Sequence, residues 1–226
     1  MLREIAQSGG SMSFIELLFT IISYAALVFV MLPIHELAHA WVATRMGDNT
    51  PRWHGRLSLN PLKHLDIFGT LTLVLFGIGY AKAVPVNPRN FSNPRRGMLL
   101  TSLAGPVSNI IMAFLALLIY RVVEMFAVSE LLVSVTWLIF VEIFAVVNLS
   151  LAVFNLLPLP PLDGFRIFSS VLPGRWVFYL ERYHEYLRWG VLLLVFTGAL
   201  DVPLTYAVGF LGNLLCTLVG LPRIFY

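Results

Sequence analysis

Residues 17–34 run for 18 positions without a charged side chain and lead directly into "HELAHA" (35–40). A helix needs about 20 apolar residues to cross a bilayer, so this run reads as an uncleaved membrane span rather than the shorter apolar core of a signal peptide. Ionisable groups at the end of such a span are costly and point to function. The rest of the chain agrees with a membrane setting. Of its 226 residues, 58% are hydrophobic and 12% are charged, against about 25% charged in soluble domains. Its one cysteine, Cys216, excludes an internal disulfide framework and a cysteine-based metal site, and its apolar surroundings predict a packed thiol.

Hydropathy predicts an all-α polytopic membrane protein of about five transmembrane helices, over 14–45, 98–126, 131–157, 189–200 and 204–221. The fourth stretch, with 12 residues, is short for a span. It is expected to borrow residues from the preceding "YLERYHEYLR", or else to form a bent hairpin with the fifth. Basic residues set the orientation. Arg45, Arg52, Arg56, Lys63, Lys82, Arg89, Arg95 and Arg96 lie between the first two spans, and Arg166, Arg175, Arg182 and Arg188 lie between the third and fourth. The positive-inside bias places both loops in the cytosol, with the N-terminus outside and the C-terminus inside. Within the first loop, residues 69–88 are apolar, β-branched and broken by glycine and proline, which predicts a small membrane-associated β-hairpin. Nothing resembles an appended soluble domain. The expectation is one membrane-embedded domain over 1–226, with a core at about 14–175 and accessory helices at about 176–226.

Helical residues four apart share a face one turn apart. His35 and His39 can therefore grip one metal ion, with Glu36 beside them, in the His-Glu-x-x-His arrangement of zinc hydrolases. A metal held there lowers the pKa of a water, and the glutamate takes its proton. The bland alternative is a pair of helix-end histidines at the membrane interface. A catalytic zinc site takes a third protein ligand. His54, His64, His184, Asp66, Asp163 and Asp201 are the candidates. His35 lies about 27 Å along the helix from Leu17, close to the cytosolic edge of a hydrocarbon core of about 30 Å. The third span descends to the same edge, where Pro158, Pro160 and Pro161 stop it and Asp163 follows. Asp201 falls on the outer side, and Asp66 in a solvated loop. The competing reading of "LPLPPLDG" is a helix-stopping turn in which Asp163 only caps the next helix. His54 and His64 read as solvated or supporting residues rather than ligands, and His184 as part of an interfacial, aromatic-rich helix.

These residues bring a family into view. "HELAHA" (35–40), "GRLSLNPLKHLDIFGTL" (55–71), "AKAVPVNPRNFSNPRRG" (81–97), "LAGPVSN" (103–109) and "NLLPLPPLDG" (155–164) resemble the site-2 protease family of intramembrane zinc metalloproteases, in a short prokaryotic branch without PDZ or CBS domains. The first and last of these pieces are the specific ones. The resemblance implies a three-helix catalytic core, one zinc ion on His35, His39 and Asp163, and Glu36 as general base. It also implies that Asn155 steadies the scissile carbonyl or the tetrahedral intermediate, with an amide donor aimed at developing negative charge. Asn109 would support the site from the second span, and Gly105 would let helices approach closely. The implied substrates are transmembrane proteins cut within or beside their spans. Lipids are the other expected partners and nucleic acid is not. The implied location is a prokaryotic inner membrane with the site near its cytosolic face.

Three other classes compete with the protease, one of them a catalytically silent protein that holds transmembrane helices, against which an intact Glu36 argues. A non-proteolytic metalloenzyme or metal-binding membrane protein would use the same ligands. A metal transporter would carry polar groups along a whole path, whereas the middle of the second span, "IIMAFLALLIY", is bare.

Overall fold

The computed structural model describes residues 14–66, 82–126 and 132–222, with side chains over 29–66, 82–125 and 140–222. Among these the helices are α1 (Phe14–Arg45), α2 (Thr50–Trp53), α3 (Pro94–Phe126), α4 (Leu132–Leu156), α5 (Asp163–Val171), α6 (Gly174–Arg182), α7 (His184–Thr197) and α8 (Asp201–Val219). No β-strand occurs among the described residues. The expected hairpin over 69–88 falls, up to residue 81, outside them. The chain divides into two compact units, Met1–Ser92 and Asn93–Tyr226.

In the first unit α1 covers the first expected span from end to end. Pro33 lies inside it and supplies no amide to the carbonyl one turn earlier. The chain then folds into a compact polar knot. Asp48, Arg56 and His64, all from a loop rich in charge, are buried in it. His64 therefore departs from the solvated reading, while His54 is exposed as expected.

In the second unit α3 and α4 pack along one another, and α5 and α8 pack against both. The contact surface is built from small and branched residues: Ala113, Ala116 and Leu117 of α3 and Ala145, Leu149 and Val153 of α4 are buried together with Leu215 and Cys216 of α8. Small side chains let membrane helices approach closely, where packing rather than water exclusion drives association. The outer side of α3, with Val107, Ile111, Leu115, Leu118 and Val122, is exposed and apolar. By length and composition two described helices suit a membrane crossing, Pro94–Met125 at mean hydropathy 2.0 and Asp201–Val219 at 1.7. Over the expected fourth span the described helix is α7, which runs for 14 residues from His184 to Thr197. Gly198, at φ 72°, caps α7 in the left-handed conformation and lets α8 start three residues later.

Candidate metal centre

The histidine pair follows from uninterrupted helix. His35 and His39 stand on the same face of α1, and their Nε2 atoms face each other at 3.1 Å. Their rings meet edge to face with centroids 4.7 Å apart. Two nitrogens bound at 2.0–2.1 Å to one tetrahedral ion lie about 3.3 Å apart, so this pair is set to a zinc-sized bite. Both rings are buried, as is the Glu36 carboxylate between them in sequence. Met31, Pro33, Ala40 and Ala43 of the same helix are also buried, which keeps the local dielectric low.

The carboxylate is delivered differently. Helix α4 stops at Leu156, and the proline-rich stretch turns through hydrogen bonds from Leu159 N to Leu157 O at 2.8 Å and from Leu162 N to Leu159 O at 3.0 Å. Asp163 is the first residue of α5, where helix-end amides and the helix dipole favour negative charge. Gly164 explains why this elbow ends in glycine. A β-carbon there would collide with the carbonyl oxygens of Leu156 and Leu157. Only a glycine lets the start of α5 press against the end of α4. His35 and His39 of the first unit offer two imidazoles, and Asp163 of the second offers a carboxylate. Two imidazoles and a carboxylate suit zinc in kind and number.

Asn155 lies on the last turn of α4, half-buried, and its Nδ2 donates to the Leu151 carbonyl at 3.0 Å. That bond uses one of the two amide hydrogens and fixes the side chain. Asn109 is fully buried on α3, and neither amide atom has a hydrogen-bond partner among the described residues. Gly105 is buried one turn earlier, its carbonyl accepting from Ser108 Oγ at 2.7 Å. His54 Nδ1 approaches the Thr50 carbonyl at 2.9 Å, a local contact on the surface.

Sequence reasoning missed the knot that follows α1. Asp48 is fully buried and accepts from Thr50 N at 3.0 Å, Asn87 N at 2.7 Å and Asn90 Nδ2 at 2.7 Å, besides the Thr50 hydroxyl. Burial pushes its pKa up. The hydrogen bonds from the Thr50 and Asn90 side chains and from the Asn87 and Thr50 amides outweigh that and leave it below the ordinary 3.8. A few residues away, the Arg56 guanidinium donates to the carbonyls of Lys63 and Lys82, Lys82 N donates to His64 O at 2.8 Å, and His64 Nε2 lies 2.6 Å from Ser58 O. Asp48 two residues before Thr50 is a turn signal that could have been read. No local pattern announces that a loop arginine will be buried.

A buried His-Glu-x-x-His helix is the mark of a metal-dependent hydrolase. Similarity to known proteins narrows the class. The sequence model described as Peptidase family M50 matches residues 119–197. Three relatives, each carrying the name "putative zinc metalloprotease", are similar to this chain. YwhC of Bacillus subtilis is 46% identical over 147 residues, which is 65% of this chain and 67% of that protein. Rip2 of Mycobacterium tuberculosis (strain H37Rv) is 35% identical over 142 residues, 60% of this chain and 52% of that protein. MJ0611 of Methanocaldococcus jannaschii is 30% identical over 176 residues, 73% of this chain and 83% of that protein. The chain thus spans about half the length of the mycobacterial relative. No solved structure matches it. The chain belongs to peptidase family M50, the membrane-embedded site-2 proteases, and is a zinc metalloprotease.

Proposed function

We propose that this protease hydrolyses peptide bonds within or beside the transmembrane segments of other membrane proteins, near the cytosolic face of a prokaryotic inner membrane. The supporting observation is the buried pair of facing imidazoles on α1 with Glu36 next to them. In this reading His35, His39 and Asp163 hold one zinc ion. Bound zinc supplies Lewis acidity and lowers the pKa of a nearby water. Glu36 takes the proton from that water and returns it to the leaving amine, general acid–base work worth about 10²–10⁴-fold. Asn155 keeps one amide hydrogen for the developing oxyanion. Asn109 brings a buried, unused amide to the same role or to the substrate backbone, and buried Gly105 supports the packing around it. The eight basic residues between the first two expected spans support the cytosolic placement. About five spans in a single domain, with a hairpin over 69–88, complete the reading.

The test is a panel of single-span peptides reconstituted with the full chain, with products identified by mass spectrometry. Wild type should cut inside or next to the span, and Glu36→Gln should cut none while keeping its zinc. Products from the Glu36→Gln protein, or none from wild type across the panel, would refute the reading.

A further inference from the structure

Helix α6 (Gly174–Arg182) carries a surface that catalysis does not use. At 100° per residue, positions i, i+3, i+4 and i+7 form one stripe, and here they are Arg175, Phe178, Tyr179 and Arg182. All four are exposed, Phe178 at 63% and Tyr179 at 53%. The opposite side of the helix, with Val177 and Leu180, is half-buried. Among the described residues no carboxylate pairs with Arg175 or Arg182, whereas nearby Arg188 is held by Glu185 at 2.6 Å. A face turned to bulk water has no use for two exposed aromatic rings between two free cations. Next along the chain, α7 exposes Trp189, Leu193 and Phe196 at the same helical spacing, an apolar stripe suited to acyl chains.

We infer that the α6 stripe binds the headgroups of anionic phospholipids. Phe178 and Tyr179 sit at headgroup depth, as aromatic side chains do at membrane interfaces. Arg175 and Arg182 reach the phosphates, one on either side. The complementarity is specific in charge, because a zwitterionic headgroup offers its own ammonium to the same phosphate. Only Leu172 and Pro173 separate α6 from the helix that begins with Asp163, so a headgroup-anchored α6 also fixes the depth of that helix's far end.

The full chain, reconstituted in vesicles of phosphatidylcholine and phosphatidylglycerol and re-extracted, is to be analysed by native mass spectrometry for retained lipid of each type. Wild type should retain phosphatidylglycerol preferentially. Each cation near an anionic surface contributes about fivefold, so Arg175→Gln with Arg182→Gln should cut that preference by about 25-fold. Arg175→Lys with Arg182→Lys should restore most of it. Arg52→Gln with Arg89→Gln, exposed in the other unit, should leave it unchanged. An undiminished preference in the α6 glutamine variant, an equal loss in the Arg52 and Arg89 control, or failure of lysine to restore it would each overturn the inference.

Discussion

His35 and His39 reach one another because unbroken helix carries them, whereas Asp163 arrives on a chain that has been stopped and turned. In α1 the spacing alone fixes the geometry: four residues make one turn, and the two Nε2 atoms meet at 3.1 Å. In the elbow between α4 and α5 nothing periodic helps. The carboxylate's position depends on where the prolines end α4 and on how tightly α5 packs back against it, and Gly164 sets that packing. One half of the candidate centre is held by a pattern, the other by a single close contact. The first half should tolerate conservative change around it, and the second should not.

The largest effect that would sharpen this contrast lies in the elbow. Asn155→Ala should lower kcat for a transmembrane peptide by about 10²–10³-fold with zinc content unchanged, the size expected for one oxyanion donor. A rise in KM at constant kcat would reassign Asn155 to substrate binding. Next comes Gly164→Ala, where the new methyl must displace two carbonyl oxygens. Thermal unfolding should show a loss of about 3 kcal/mol or more. Ala40→Gly, on α1 beside the histidines, should cost only about 1 kcal/mol. Equal losses at the two positions would break the comparison.

How legible these halves were follows the same line. The ends of α1 and of α4, and the pair His35 and His39, could be read from hydropathy and period, because a long apolar helix leaves few alternatives. Asp163 was readable only through its depth and its family resemblance. The glycine after it looked like part of a motif, and its steric reason appeared only when Leu156 and Leu157 were seen beside it. The knot around Asp48 and Arg56 was not legible. Its bonds join residues about 40 positions apart, such as Asp48 and Asn90, and no local propensity encodes such pairings.

That knot gives an effect smaller than that of Gly164→Ala, and one with a sign in pH. The folded pKa of Asp48 is depressed below its ordinary value. Its stabilisation is therefore complete above the unfolded pKa and is lost as pH falls through the folded one. Asp48→Asn should cost about 2 kcal/mol at neutral pH. The variant should also lose part of the acid dependence of unfolding that wild type shows below about pH 4. An Asp48→Asn protein with wild-type stability and the same acid profile would remove the knot from the account.

The most direct test of the centre itself is the zinc stoichiometry of the purified full chain, wild type beside Asp163→Ala. Three protein ligands holding one ion predict about one zinc per chain in wild type and a small fraction of that in the variant. Wild-type zinc content in Asp163→Ala would contradict the assignment of the elbow carboxylate to the metal.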